Sequence, residues 1–236
     1  EKIYISYPNL TKDVQAGERI FLDDGKMEIK VEKILNDKEL EVSVTLGGVL
    51  LPKKGVNFPD STLSMPALTE KDIADLEFII DQKIDWVALS FVKRTEDIEE
   101  LKRRIKAKKS KIKVIAKIEM PEALKNIREI ILASDAIMIA RGDLGVEIPI
   151  EQVPIVQKDI IRKCMRRAKP VIVATQMMES MIDRTKPNRS EVTDVANAVL
   201  EGADAVMLSG ETATGQYPQL VVQTMSKIIQ QVENTV

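Results

Sequence analysis

The sequence contains no histidine and a single cysteine, and these two absences narrow the chemistry available to it. Without histidine, Ser-His and Cys-His catalytic pairs and histidine metal ligands are excluded. One cysteine, Cys164, cannot form an internal disulfide, and we expect it to be an inert helix residue in a reducing cytosol. Catalysis would therefore rely on carboxylates, lysine, arginine and hydroxyl groups, and any metal would be a hard cation such as Mg²⁺.

Long apolar runs and a charged-then-apolar leader are also lacking, so we expect a soluble, cytoplasmic protein with no membrane partner. The 35 basic and 37 acidic residues nearly cancel, which leaves no overall field that would select nucleic acid. The run from Lys102 to Lys113 holds eight basic residues but no interleaved aromatic. We interpret that run as a solvated helix end rather than a nucleic-acid patch.

The hydrophobic pattern changes near residue 60. Residues 1–60 contain short alternating stretches that predict a small β domain, namely "KIYISY", "ERIFL", "KMEIKVEKI" and "LEVSVTL". After a Pro/Gly loop, "LPKKGVNFPD", Thr69 is expected to cap a helix, with Asp72 three residues later. Over residues 61–236, five apolar strands alternate with helical patterns, which predicts a parallel β/α domain. These strands are "WVALSF", "KVIAKIE", "AIMIARGD", "VIVATQ" and "AVMLSGE".

Polar residues stand at the ends of these strands. A (β/α)₈ barrel collects its strand ends around one mouth, whereas a Rossmann sheet gathers them at a crevice with a Gly-rich first turn. No G-x-G-x-x-G or Walker lysine loop is present. The predicted fold class is therefore α/β, with a TIM barrel favoured over an open doubly wound sheet and a small all-β domain beside it. The strand-end residues are Ser90, Lys117 with Glu119, Asp143, Thr175, and Ser209 with Glu211.

Three of these strand ends carry the candidate chemistry. Strand alternation puts Lys117 and Glu119 on one face, with Ile118 on the other. Neighbouring strands lie about 4.8 Å apart, so Glu119 and Asp143 could share one Mg²⁺, with Lys117 as a second positive charge. A purely structural Lys-Glu-Asp cluster that closes one end of a barrel is the alternative, since clustered charges mark sites only statistically.

The residues next to Asp143 allow two further interpretations. Gly142 lets a ligand approach the backbone closely, and its N–H could hold a carboxylate together with that of Asp143. The hydroxyl of Thr175 could donate to a reacting carbon, or it could cap the following helix. Arg141, Gly142 and Asp143 spell an adhesion tripeptide, but they directly follow a buried strand, which argues against an exposed adhesive loop.

Several of these segments together resemble the pyruvate kinase family. They are "KKGVNFP", "KVIAKIE", "IMIARGDLGVEIP", "KPVIVATQMMESMI" and "EVTDVANAVLEGADAVMLSGETATGQYP", in that order. The resemblance implies a (β/α)₈ barrel with a small β lid domain inserted after its third strand. It implies phosphoryl transfer from phosphoenolpyruvate to ADP, which gives pyruvate and ATP. The implied cofactors are Mg²⁺ or Mn²⁺ together with K⁺, and the implied assembly is a homo-oligomer, a tetramer in the family.

The same resemblance assigns roles to individual residues. Lys117 would stabilise the phosphoryl group in transfer, and Glu119 and Asp143 would bind the divalent metal. The phosphoenolpyruvate carboxylate would be bordered by Ala140, Gly142, Asp143 and Thr175, and Thr175 would also lie near the enolate that is protonated. Asp24 and Lys54 match lid positions that close over the nucleotide, and Ser90 lies near the potassium site.

By this resemblance the chain corresponds to part of the lid (residues 1–60) and barrel strands four to eight (residues 61–236), without the C-terminal domain. We therefore expect this chain alone to be inactive. One departure from the family pattern is Met120-Pro121 after "KIE". Proline is well tolerated at the first position of a helix, so we do not expect it to disturb Glu119. Two alternatives stay open: another Mg²⁺-dependent barrel enzyme that handles an enolate, and a non-catalytic association fragment.

Overall fold

The computed structural model describes residues 2–235 and divides into two compact units. One, here called the antiparallel unit, contains the described residues up to Pro66 together with Gly145–Ile150. The other, the parallel unit, contains Ala67–Leu144 and the described residues from Glu151 onward. The expected domain boundary at residue 60 stays a prediction.

The antiparallel unit is a four-stranded sheet in the order β3-β2-β1-β4. Alternating residues of its strands point into one core, which includes Ile20, Ile29, Val31 and Phe58. This alternation is the period-2 pattern from which the β domain was predicted. Its elements are α1 (Leu10–Asp13), β1 (Arg19–Leu22), β2 (Met27–Asn36), β3 (Glu39–Leu46) and β4 (Val56–Asn57).

Two local predictions for this unit were wrong. The stretch "KIYISY", residues 2–7, alternates like a strand but forms none, and Tyr4 is 91% exposed. Alternation becomes a strand only where a neighbouring strand accepts its hydrogen bonds, and no strand of this sheet pairs with residues 2–7. Conversely, the Pro/Gly segment expected as a loop contains β4, which pairs antiparallel with β1.

The parallel unit confirms the predicted β/α alternation. Its five strands lie in chain order, β5-β6-β7-β8-β9, and every neighbouring pair is parallel. The strands are β5 (Trp86–Leu89), β6 (Lys113–Ile118), β7 (Ala136–Ala140), β8 (Val171–Ala174) and β9 (Ala205–Met207). Together with the antiparallel sheet, this sheet fits a partial barrel with a small β unit.

Helices alternate with these strands. All five residues of β7 are buried, as in a sheet covered on both faces. The paired methionines Met177 and Met178, with Met181, lie in the core as expected. The helices are α2 (Glu70–Asp81), α3 (Thr95–Ala107), α4 (Pro121–Lys125), α5 (Ile127–Ala133), α6 (Arg141–Glu147), α7 (Val153–Met165), α8 (Arg189–Leu200), α9 (Gly210–Ala213) and α10 (Pro218–Glu233), with 3₁₀ turns at Ile150–Gln152 and Glu179–Ile182.

Local signals account for the helix boundaries. Thr69 caps α2 as predicted, in a reciprocal arrangement with Asp72. The helical segment between β6 and β7 is divided into α4 and α5 at Asn126, whose side-chain amide donates to the carbonyls of Lys93 and Glu122. None of the helices described over residues 2–235 is both long and apolar enough to cross a lipid bilayer.

Cys164 is fully buried on α7, and burial raises the pKa of its thiol to about 12. The thiolate is the reactive form of cysteine, so almost none of it is present near neutral pH. The expectation of an inert cysteine is therefore supported.

The end of α7 generates a stability prediction. Ala168 is exposed and has a φ of 49°, the left-handed conformation that glycine adopts without cost and alanine does not. Ala168→Gly should raise the free energy of unfolding by about 0.5–1 kcal/mol after allowance for glycine's greater freedom in the unfolded chain. Urea unfolding followed by circular dichroism measures it.

The matched control is Ala74→Gly, at an exposed position in the middle of α2. Ala74→Gly should lower the free energy of unfolding by about 1 kcal/mol, because glycine is less favourable than alanine inside a helix and gains nothing from the right-handed backbone. Equal destabilisation by both substitutions would show that the left-handed conformation of Ala168 costs nothing.

Candidate active site

The strand register of the parallel unit positions the residues of the candidate site. Leu89 lies opposite Ala116, Ile118 lies opposite Ile139, and Ala140 lies opposite Ala174. Because the strands are parallel, the residues that follow them emerge at one edge of the sheet. That edge carries the predicted site residues Ser90, Lys117, Glu119, Ala140, Gly142, Asp143 and Thr175.

Lys117 and Glu119 form the most buried ion pair of this edge. The Lys117 Nζ lies 2.5 Å from Glu119 Oε1, and the side chains are 24% and 1% exposed. The other carboxylate oxygen, Oε2, accepts the backbone N–H of Phe91 at 2.8 Å. Taking a carboxylate out of water is costly unless it is paired and hydrogen-bonded, and both conditions are met here.

Ser90 completes the surroundings of the lysine. The Lys117 ammonium donates to Ser90 Oγ at 2.9 Å, while Phe91 adopts a left-handed φ of 55° and aims its N–H at Glu119. The turn after β5 thus contacts both members of the pair. The lysine is held by a hydroxyl and a carboxylate, yet a quarter of its side chain remains open to solvent.

Asp143 lies in the first turn of α6, three residues beyond the end of β7, and is half-buried. The register puts Glu119, which follows β6, beside the start of the same segment. Among residues 2–235, no group of three or more Cys, Asp and Glu side chains is arranged to hold a metal ion. Glu119 and Asp143 are the carboxylates that follow β6 and β7.

Thr175 and Gly142 join the segments that follow β7 and β8. The Gly142 N–H donates to Thr175 Oγ1 at 2.8 Å, and this hydroxyl donates to the Ala174 carbonyl at 2.6 Å. A Cβ at position 142 would lie 3.2 Å from Thr175 Oγ1, so glycine permits the close approach. Thr175 caps no helix, since the next helical turn begins at Glu179 with Met178 before it.

Two residues whose roles the sequence did not reveal also contact this edge. Arg141 is 7% exposed and donates to the carbonyls of Thr175 and Gln176. Glu211 is 2% exposed and accepts the N–H groups of Met178 and Ser209. A charged residue directly after a buried strand was the only sequence signal for Arg141, and it does not identify partners more than 30 residues away.

The remaining predicted residues, Asp24 and Lys54, lie in the antiparallel unit. Lys54 pairs with Asp23 at 2.9 Å rather than with Asp24. The hydrogen bond from Lys54 holds the pKa of Asp23 below its usual range, and Lys26 acts in the same direction. Asp23, Asp24 and Gly25 are consecutive left-handed residues that form the turn between β1 and β2.

A parallel β/α sheet with a buried lysine–glutamate pair and an aspartate at the carboxyl ends of its strands defines a β/α-barrel type of protein with a charged strand-end site. Comparison with known proteins makes the assignment specific. The family model described as "Pyruvate kinase, barrel domain" matches residues 1–222. The chain belongs to the pyruvate kinase family.

Curated relatives agree with this assignment. The chain is 50% identical over 234 residues to "Pyruvate kinase" from Mycobacterium intracellulare, covering 99% of this chain and 49% of the relative. It is 51% identical over 232 residues to "Pyruvate kinase" from Geobacillus stearothermophilus, covering 97% and 39%. It is 50% identical to "Pyruvate kinase 2" from Synechocystis sp., again covering 97% and 39%. The chain thus spans less than half the length of these relatives.

Proposed function

We propose that this chain supplies the phosphoryl-transfer residues of a pyruvate kinase, which moves phosphate from phosphoenolpyruvate to ADP in glycolysis. The observation that carries the proposal is the buried Lys117–Glu119 pair at the end of β6, beside the segments that hold Asp143 and Thr175. The relatives named pyruvate kinase match the chain over nearly its whole length.

Glu119 and Asp143 would hold Mg²⁺ or Mn²⁺. Carboxylate oxygens are the hard, anionic donors that Mg²⁺ prefers, and substrate oxygens and water commonly complete its shell. Glu119 Oε1 lies against the Lys117 ammonium and Oε2 accepts the Phe91 N–H, and the further lone pair of a carboxylate oxygen would face the cation. When bound, the metal would neutralise charge on the phosphoryl and enolate oxygens.

Lys117 would stabilise the phosphoryl group as it is transferred. Charge on that group is spread over its equatorial oxygens, and a fixed ammonium lowers the barrier by compensating it. Ser90 Oγ accepts a hydrogen bond from the Lys117 ammonium and Glu119 Oε1 lies 2.5 Å from it, so the lysine would meet the transferred group from a fixed position. A K⁺ ion near Ser90 remains part of the proposal through the family resemblance.

Thr175, Gly142 and Ala140 would border the substrate carboxylate and the enolate. The Gly142 N–H donates to Thr175 Oγ1 in the structure, so the substrate carboxylate would lie beside this bonded pair. From the position that this hydrogen bond holds, the Thr175 hydroxyl would face the enolate carbon. In the antiparallel unit, Asp24 and Lys54 would close over ADP or ATP, and the active assembly would be a homo-oligomer.

A non-catalytic association fragment is the second candidate. Within the described residues, β5 and β9 each have a neighbouring strand on one side only, and exposed strand edges pair readily with other chains. Five strands cannot close an eight-stranded barrel, so we expect the chain alone to be inactive. The test must therefore supply the rest of a barrel.

A chimeric enzyme, here called the graft, would supply the rest of the barrel. This chain would replace the matching segment of the Geobacillus stearothermophilus relative, to which it is 51% identical. The grafted enzyme should form pyruvate from phosphoenolpyruvate and ADP in a lactate-dehydrogenase-coupled assay, while the purified chain alone should not. A folded graft that binds both substrates without turnover would favour the association fragment.

Lys117→Met in the grafted enzyme should lower kcat by about 10²-fold or more, with a much smaller change in KM for phosphoenolpyruvate. The lysine acts on charge that develops during transfer rather than on substrate binding. Steady-state kinetics measure both constants. Lys111→Met, which removes an exposed lysine from the segment before β6, is the matched control and should change neither. A Lys117 variant with near-normal turnover would contradict the assigned role.

Glu119→Gln and Asp143→Asn should each raise the Mg²⁺ concentration for half-maximal turnover of the graft by about tenfold or more. Each change removes one anionic ligand while keeping the side-chain size. Metal titrations at saturating substrate measure the shift, and Glu99→Gln on the exposed side of α3 is the control. Unchanged titration curves in both variants would leave the structural ion-pair interpretation standing.

A further inference from the structure

The segment that follows β8 has an unusual backbone. Thr175 and Gln176 have φ angles of 68° and 53°, two left-handed residues in succession. Neither is glycine, asparagine or aspartate, and for a β-branched threonine this conformation is a genuine outlier. Such conformations persist where the surroundings hold them, and they cluster at functional sites.

Arg141 contacts the carbonyl groups of both left-handed residues. Its Nε and Nη2 donate to the Thr175 carbonyl at 3.2 and 2.8 Å, and Nη2 also donates to the Gln176 carbonyl at 3.0 Å. The planar guanidinium presents its donors in a rigid fork, which fits two adjacent carbonyls better than a lysine ammonium would. Arg141 thereby fixes the direction of both peptide groups.

The remaining donors of Arg141 are also engaged by the protein. Nη1 lies 2.8 and 2.7 Å from the two carboxylate oxygens of Asp194, and it lies 3.4 Å from Gln157 Oε1. With the five guanidinium hydrogens directed at protein acceptors, Arg141 has no donor left for a substrate phosphate. Any effect on the reaction must therefore pass through the residues that it holds.

The side chain of Thr175 is held from the same segment. Gly142, the residue after Arg141, donates its N–H to Thr175 Oγ1. The far end of the turn has a second anchor, since Glu211 Oε1 accepts the Met178 N–H at 3.1 Å and Oε2 accepts the Ser209 N–H at 2.7 Å. Buried charges of opposite sign thus hold the two ends of residues 175–178.

We propose that Arg141 is a positioning residue that holds Thr175 in its left-handed conformation and so fixes the direction of the Thr175 hydroxyl, with Glu211 as the second anchor. The consequence for catalysis rests on the proposed function, in which Thr175 borders the substrate. The positioning itself does not, and the two are tested separately.

The positioning is tested on this chain by amide hydrogen exchange, measured by NMR. Arg141→Lys keeps the charge but loses the fork, so exchange of the Gly142 amide should become at least about tenfold faster. The Val114 amide, which donates to Asp135 at the opposite end of the sheet, should be unchanged. Arg162→Lys on the exposed face of α7 is the matched control and should affect neither amide.

Asp194→Asn is the second variant, should Arg141→Lys fail to fold. It leaves the guanidinium in place but removes its counter-ion, and the one side-chain oxygen of asparagine remains as an acceptor at position 194. It should accelerate Gly142 exchange in the same direction by a smaller factor. If the folded variants exchange Gly142 at the wild-type rate relative to Val114, the positioning proposal is overturned.

Kinetics of the grafted enzyme test the consequence. Arg141→Lys should lower kcat at least about tenfold, with KM for ADP within twofold of the parent. Addition of ethylguanidinium to Arg141→Ala should recover part of the lost turnover. Faster Gly142 exchange with unchanged kcat would support positioning but refute the role proposed for Thr175. Reduced kcat with unchanged exchange would mean that Arg141 acts on the substrate directly, which overturns the proposal.

Discussion

The parallel hydrogen-bond register of β5 to β9 is the constraint on which the candidate site depends. It sets Ile118 opposite Ile139 and Ala140 opposite Ala174, so that consecutive strand ends meet at one edge. A slip of one residue in β6 would turn Lys117 and Glu119 to the opposite face. The buried, uninterrupted β7 opposes such a slip, because each of its five residues is packed.

The amino ends and the carboxyl ends of these parallel strands carry different groups. At the amino ends of the strands, Asp135 and Asp204 each accept a backbone N–H of the preceding neighbouring strand, from Val114 and Val171, both at 2.8 Å. Burial raises the pKa of Asp135, but the hydrogen bonds from Lys102 and Val114 outweigh it and lower the pKa overall. These aspartates have a structural role, since they satisfy backbone N–H groups at the amino ends of the strands. At the carboxyl ends, the Lys117–Glu119 pair forms the centre of the candidate site.

Sequence patterns predicted those features that depend on residues close together in the sequence. Apolar runs identified the five parallel strands, and strand alternation placed Lys117 and Glu119 on one face, where the structure pairs them. Residues 2–7 show where alternation fails, because a strand also needs a partner. The left-handed turn at Thr175 was invisible, since no glycine marks it and its anchors, Arg141 and Glu211, are each more than 30 residues away.

The claim that the carboxyl ends of β6 and β7 form a cation site can be measured directly on this chain. Mn²⁺ is paramagnetic and broadens the NMR signals of nearby amides, so a titration locates where it binds. The account predicts that the amides of Glu119 and Asp143 broaden first and that Glu119→Gln abolishes this effect. Broadening that begins elsewhere, such as at Asp23, and spares both strand ends would contradict it.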